Sequence, residues 1–273
     1  MSEIKETKAQ RVERLKRAKN AWECVDEIRE FARLGHASIP QEWLGTYFRS
    51  WGIYTQGDGQ GVIGGANGEG KATPYFMVRI RIPNGILRSA QLRTVADIAD
   101  QHARGVADIT VRQNIQLHWV TIEALPEILD CLHSVGLTTT GACGDVARNI
   151  TGCPLAGVDA EELYDASPVA LELNRQIGGN SEFYNLPRKF KVSITGCHLW
   201  CSYPEINDVA LTATIRRRGG ASEPGFSLRV GGGLSTDPHL ATRLNAFVAE
   251  NQAARVVRLP GVLRRWRSDS RLR

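Results

Sequence analysis

Apolar and charged positions recur along this chain with two periods, and the switches between them outline its elements. Over residues 5–33, Val12, Leu15, Ala18, Trp22 and Val25 return at three- and four-residue steps among Lys, Arg and Glu. That spacing predicts a surface helix packed on the body of the protein. Ser38-Ile39-Pro40 breaks it, and residues 41–48 predict a second, short helix. Residues 75–82 alternate with period two and stop at Pro83-Asn84-Gly85, a strand and its turn. Leu92, Val95, Ile98 and Ala99 restore the helical period over 89–104, after which 108–120 reads as strand and 125–135 as helix. Strand–helix–strand–helix over roughly sixty residues is half of an α+β sandwich of ferredoxin-like kind. Such a half exposes a sheet edge and an apolar face, so it calls for a partner half.

From Leu137 the texture changes to turns rich in glycine, cysteine and asparagine between short strands, clearest at 190–195, 209–216 and 226–230. Residues 237–249 predict a helix, with Pro238 just inside its start. Earlier, residues 56–71 hold Gly57, Gly59, Gly61, Gly64, Gly65, Gly68 and Gly70. Such a run can cradle a phosphate, but the spacings of a phosphate-binding or dinucleotide-binding loop are missing. A flexible loop over or beside a bound cofactor is the simpler expectation.

With 273 residues, 42% hydrophobic and 23% charged, the chain suits one large or two small soluble domains. No apolar run reaches the ~18 residues of a membrane span, and the charged opening lacks a secretory signal, so a cytoplasmic protein is expected, off the membrane. The net charge of +5 is misleading as an average, because residues 255–273 hold seven Arg against one Asp. A body that binds nucleic acid is basic over a whole face, and here the excess lies in the tail, where only Trp266 among the arginines hints at that use. Six cysteines are too few for a disulfide scaffold. Cys24 and Cys131 sit in helix-like patterns as small apolar residues, whereas Cys143, Cys153, Cys197 and Cys201 fall in glycine-bearing, motif-like segments that favour iron chemistry or its remnant. Zinc is disfavoured, since no second close pair accompanies Cys197 and Cys201, with His198 between them. His102, His133 and His239 are placed on helices as packed or capping side chains.

Four motifs follow in order: Val111-Arg112-Gln113-Asn114-Ile115-Gln116, Asp145-Val146-Ala147-Arg148-Asn149, Leu186-Pro187-Arg188-Lys189-Phe190-Lys191, and Thr195-Gly196-Cys197 with Cys201. Together, with the glycine turn Val230-Gly231-Gly232-Gly233-Leu234-Ser235-Thr236, they resemble the amino-terminal half of the sirohaem-dependent sulfite/nitrite reductases over about residues 40–258. The resemblance implies that Arg112, Arg148, Lys189 and Lys191 gather round one anion on a haem iron. Arg offers a planar fork for oxyanion oxygens and Lys a mobile donor that relays protons, both stronger in a water-poor pocket. It likewise implies that Arg79, Arg81, Gln113, Asn114, Gln116 and His118, and the backbone N–H groups of Gly231, Gly232 and Gly233, meet the carboxylates of sirohaem. Cys197 and Cys201 are candidate thiolates for a 4Fe-4S cluster, or a structural or vestigial counterpart of ligands that the family carries in its carboxy-terminal half. Lys191, where nitrite-specific members often have Asn, leans toward sulfite.

The expected organisation is a helical lead and glycine-rich loop (1–65), a ferredoxin-like half-domain (66–136), a sirohaem-binding α+β domain (137–258) and an atypical Arg-rich tail (259–273). The implied activity is six-electron reduction of sulfite to sulfide or nitrite to ammonia, with electrons from ferredoxin. The pattern stops matching at the tail, which suggests a truncated or frameshifted reading or a half-size subunit with a complementary carboxy-terminal half. The alternative is an incomplete fragment or partner subunit without its own metal centres.

Overall fold

The computed structural model describes residues 6–57, 72–199, 201–234 and 237–258. Most of the glycine-rich run and all of the tail from 259 lie outside the described residues. The chain divides into two compact units. The first comprises Met1–Arg81, Leu87–Thr110 and Ile115–Gly144; the second comprises Ile82–Ile86, Val111–Asn114 and Asp145–Arg273.

In the first unit the single helix expected over 5–33 is two, α1 (Lys8–Ala18) and α2 (Val25–Leu34). Thr7 and Gln10 form a capping box at the start of α1. Asn20 then takes the N–H of Trp22 with its side chain and turns the chain between the helices, because a side-chain acceptor there competes with helical pairing. A π-helical turn, Trp43–Tyr47, leads into α3 (Phe48–Ser50). A four-stranded sheet follows in the order β1 (Ile53–Gly57), β2 (Ala72–Ile80), β4 (Ile115–Val120), β3 (Ala107–Ile109), with α4 (Ser89–His102) and α5 (Leu125–Ser134) as its helices. Phe48 and Phe76 meet edge to face at 5.5 Å, both fully buried. The strand expected over 108–120 is instead the β3–β4 hairpin. Gln113 adopts a left-handed backbone, φ +57°, in the turn between the two strands.

The second unit is a five-stranded sheet in chain order: β5 (Ala147–Thr151), β6 (Phe190–Thr195), β7 (Val209–Arg218), β8 (Ala221–Val230) and β9 (Thr242–Ala249). β5, β6 and β7 run parallel, while β8 and β9 are antiparallel additions. Every residue of β6 is buried, as a strand covered on both faces requires. Helix α6 (Ser167–Ile177) presents Ala170, Leu173 and Ile177 to a core with Phe190, Val192, Leu211 and Phe226, and α7 (Ala253–Arg258) adds Ala253 and Val257.

Two expectations are corrected here. Residues 237–249 hold strand β9, not a helix, and His239 sits in a bridge to Gly233. Leu240 and Leu244, which a helix would have turned to the core, are exposed, and pairing with β8 decides the conformation. The Arg148-Asn149 motif lies in β5, not in a turn. Among the described residues no helix is long and apolar enough to cross a membrane.

Candidate anion site

Three stretches of the second unit bring four cations together. Arg112 stands in the turn at 111–114, Arg148 is the second residue of β5, and Lys189 and Lys191 flank Phe190 at the start of β6. Ala147 and Phe190 are partners across the parallel β5–β6 pair, which sets these residues at one end of neighbouring strands. Burial, with repulsion between neighbouring cations, lowers the proton affinity of Arg112, Lys189 and Lys191. Burial, reinforced by Arg148, pulls Arg112 down to about 10. Burial, then Arg148 and Arg188, lowers Lys189. Burial also lowers Lys191, against the attraction of Asp208.

The segment just before β7 holds two of the four. The Lys191 ammonium donates to the Ile206 carbonyl at 2.5 Å, and the Lys191 backbone N–H donates to Asp208 Oδ2 at 2.7 Å. Arg112 Nη1 donates to Asn207 Oδ1 at 2.8 Å, and Nη2 to the Asn149 carbonyl at 2.7 Å. Asn149 in turn donates from Nδ2 to the carbonyls of Arg112 and Ile82. The third edge of the guanidinium, Nε, is buried with no acceptor. A buried donor left in this state costs about 1–3 kcal/mol, and an oxyanion would relieve it. Asp208 acts on three of these cations, Arg112, Lys189 and Lys191, and burial pushes it up to about 6 despite the N–H of Lys191 and the nearby charges.

Of the other expected contacts in this unit, Gln113 is committed to the protein. Its amide accepts from Gly152 N at 2.9 Å and donates to Gly152 O at 3.1 Å. Asn114 Oδ1 accepts from Ile82 N at 3.4 Å. The glycine turn is a correction: the N–H groups of Gly231, Gly232 and Gly233 donate to the carbonyls of Asp208, Asn207 and His239, so they do not project toward a ligand. Gly231, at φ +85°, and Gly233 nevertheless leave open space where a side chain would stand.

In the first unit Arg79 is aligned with Gln116 across β2 and β4. It donates to Gln116 Oε1 from Nε (2.9 Å) and Nη2 (2.6 Å), and to Cys143 Sγ from Nη1 (2.6 Å). His118 Nε2 faces Asp108 Oδ2 at 3.2 Å, and Arg81 is buried.

The thiols group differently from their spacing. Cys153 follows β5 and Cys197 follows β6, so the parallel strands deliver both to one corner. There the Cys153 thiol interacts with Cys197 and is pushed up to about 11, chiefly by burial. Cys197 is buried against Thr195, and Cys201 is exposed. Among the described residues no three or more His, Cys, Asp or Glu side chains are placed to hold a metal ion. Asp208 and Asn207 carried no signal in the sequence, and Cys153 none that paired it with Cys197, since only the pairing of distant strands brings them to their partners.

Comparison with known proteins agrees with this layout. The family model described as the nitrite/sulfite reductase ferredoxin-like half domain matches residues 69–135, and that of the nitrite and sulphite reductase 4Fe-4S domain matches 143–272. The assimilatory ferredoxin-dependent nitrite reductase of Haloferax mediterranei is 40% identical over 84% of this chain and 39% of its own length. A ferredoxin sulfite reductase of Mycobacterium tuberculosis is 42% identical over 86% of this chain and 42% of its length. The solved NirA protein of Mycobacterium tuberculosis superposes with a TM-score of 0.84 at 39% identity, covering 97% of this chain and 48% of that one. The chain therefore spans less than half the length of these relatives. With two family models matched in succession and these identities over more than four-fifths of its length, the chain belongs to the nitrite/sulfite reductase family.

Proposed function

We propose that this chain supplies the anion-binding side of a reductase that takes sulfite to sulfide or nitrite to ammonia. The observation that carries the proposal is the convergence of Arg112, Arg148, Lys189 and Lys191, with the buried Arg112 Nε lacking an acceptor. Four positive charges in a partly desolvated setting suit a small oxyanion and the negative charge that develops as it is reduced. Either reduction consumes six electrons and, counted to hydrogen sulfide or to the ammonium ion, eight protons, and releases three waters from sulfite or two from nitrite. Sirohaem and a 4Fe-4S cluster would supply the electrons, with ferredoxin as the donor.

The residues of this chain bind, orient and supply protons. Arg112 is anchored on two sides and offers its third edge as a fixed hydrogen-bond donor. Lys189, half-buried and lowered in proton affinity, is the more mobile donor; Lys191 is tied to Ile206 and sets charge at a fixed place. The open side of Gly231 and Gly233 leaves room for a carboxylate-bearing macrocycle, and the cations suit its carboxylates. The metal thiolates would come from a complementary half, since the described cysteines here do not form a ligand set. The test is an absorption spectrum of the purified chain, expressed with sirohaem supply, alone and with a complementary half bearing Cys-x5-Cys and Cys-x3-Cys. Little haem or cluster absorbance alone and restoration in the pair are expected; stoichiometric iron and sirohaem on the chain alone would overturn the division of labour.

A further inference from the structure

Asp208 is a carboxylate surrounded by the charges that the anion needs. Its Oδ2 accepts from the Lys191 N–H at 2.7 Å, and the charges of Lys191 and Arg112 act on it. It acts in turn on Lys189, and Arg148 lies within the same cluster. On its own segment Asn207 holds Arg112 and Ile206 holds Lys191. The adjoining β8 contributes no further free charge, because Arg229 answers Glu205 at 3.9 Å and Gly231 N donates to the Asp208 carbonyl. One carboxylate thus serves as an internal counter-ion of Arg112, Lys189 and Lys191, and an arriving anion is its competitor.

We propose that anion binding and proton uptake are coupled through Asp208: with no anion the carboxylate is ionised and neutralises part of the cluster, and when an anion binds, Asp208 takes up a proton. Two negative charges sharing one set of cations repel, and the cheapest relief is to protonate the one that is buried in protein. By linkage the effect is reciprocal, so protonated Asp208 strengthens anion binding by the factor through which the anion strengthens protonation. The burial that already raises this carboxyl to about 6 places the exchange within reach of neutral pH. The coupling would deliver one of the protons that oxyanion reduction consumes, together with the anion itself. This inference rests on the anion-site reading above.

The test uses the full chain labelled with ¹³C at the Asp carboxyls and ¹⁵N at the Lys and Arg side chains, titrated from about pH 4 to pH 9 with and without nitrite, which stays a monoanion over nearly all of that range. Asp208→Asn, which keeps an acceptor for Lys191 N, assigns the Asp208 signal by its loss. The expected result is an Asp208 titration near neutral pH that moves up by about one pH unit with saturating nitrite. Nitrite affinity would be about tenfold higher at the acid end, and the dependence would be lost in the variant. Lys189 and Lys191, lowered from the usual lysine range, would take up protons at higher pH and survive the substitution. If nitrite shifts the Arg112, Lys189 or Lys191 resonances but leaves the Asp208 titration unmoved, the coupling is refuted while the anion site stands. If nitrite perturbs none of them, the anion site itself is refuted.

Discussion

Arg112 and Asn207 are joined by a 2.8 Å hydrogen bond from Nη1 to Oδ1, and with Nη2 taken by Asn149 that bond determines which edge of the guanidinium is left for a ligand. Asn207 is itself buried and donates to the Tyr203 carbonyl at 2.7 Å. Asn207→Ala should therefore destabilise the chain by about 1–3 kcal/mol in urea unfolding, with no change of slope, because it strands a second guanidinium donor. Asn207→Asp should retain more stability yet weaken nitrite binding, since it puts a competing anion on Arg112. Equal stability of wild type and Asn207→Ala would show that Arg112 does not depend on this anchor.

In the enzyme assembled with a complementary half, Arg148→Ala or Lys189→Ala should depress anion reduction while the haem spectrum is kept. Losing one preorganised donor from such a site costs on the order of 2–4 kcal/mol of transition-state stabilisation. Steady-state turnover with an artificial electron donor reads this directly, and wild-type rates in both variants would remove these residues from the site.

Lys191→Asn should move preference toward nitrite rather than abolish reduction. Sulfite carries more charge than nitrite and gains more from a second ammonium. The ratio of the two kcat/KM values should change by roughly tenfold, about 1.4 kcal/mol. The substitution also removes the donor to Ile206, so a parallel unfolding curve separates a substrate effect from loosening of the segment.

Asp208 makes folding stability depend on pH with a definite sign. Its folded value is raised from 3.8 to about 6, so its favourable contribution is complete below about pH 4 and is lost as pH rises through 6. A shift of that size corresponds to about 3 kcal/mol. Asp208→Asn should gain on wild type by about that amount between pH 4 and pH 7 in denaturant titrations, and a constant difference would show that the carboxyl titrates normally.

Glycine substitutions should divide by place. A side chain at Gly232 would run into the carbonyl oxygens of Glu205 and Asn207, whereas at Gly233 it meets open space. Gly232→Ala should lower Tm and disturb the Arg112 anchor, while Gly233→Ala should leave the chain's own Tm near wild type and impair only assembly with a bulky cofactor.

Much of this was legible in the residues. Val95, Ile98 and Ala99 mark α4 because one helix face is buried, although Leu92, in the same pattern, is exposed. Residues 190–195 mark β6 because a strand in the middle of a parallel sheet is apolar on both sides. The errors have physical causes. Leu240, Leu244 and Val248, spaced by four, imitate a helix face, and only the presence of β8 makes that segment an edge strand. The run from Thr110 to Gln116 alternates like a strand, and its turn rests on a left-handed glutamine that carries no sequence signature. The four cations were visible through a family pattern; their counter-charge at Asp208 was not, because its partner Lys191 is met only when β6 and β7 pair.

The parallel β5–β6 pair has a consequence for how the protein is made. About 40 residues separate Thr151 from Phe190, so no hairpin can nucleate that pairing and it must wait for a long loop to close. Arg148 meets Lys189 and Lys191 only at that moment, which places the assembly of four like charges near the end of the folding reaction. A dissolved anion then acts as a chaperone for its own binding site, and the chain should refold faster in sulfate than in chloride at equal ionic strength.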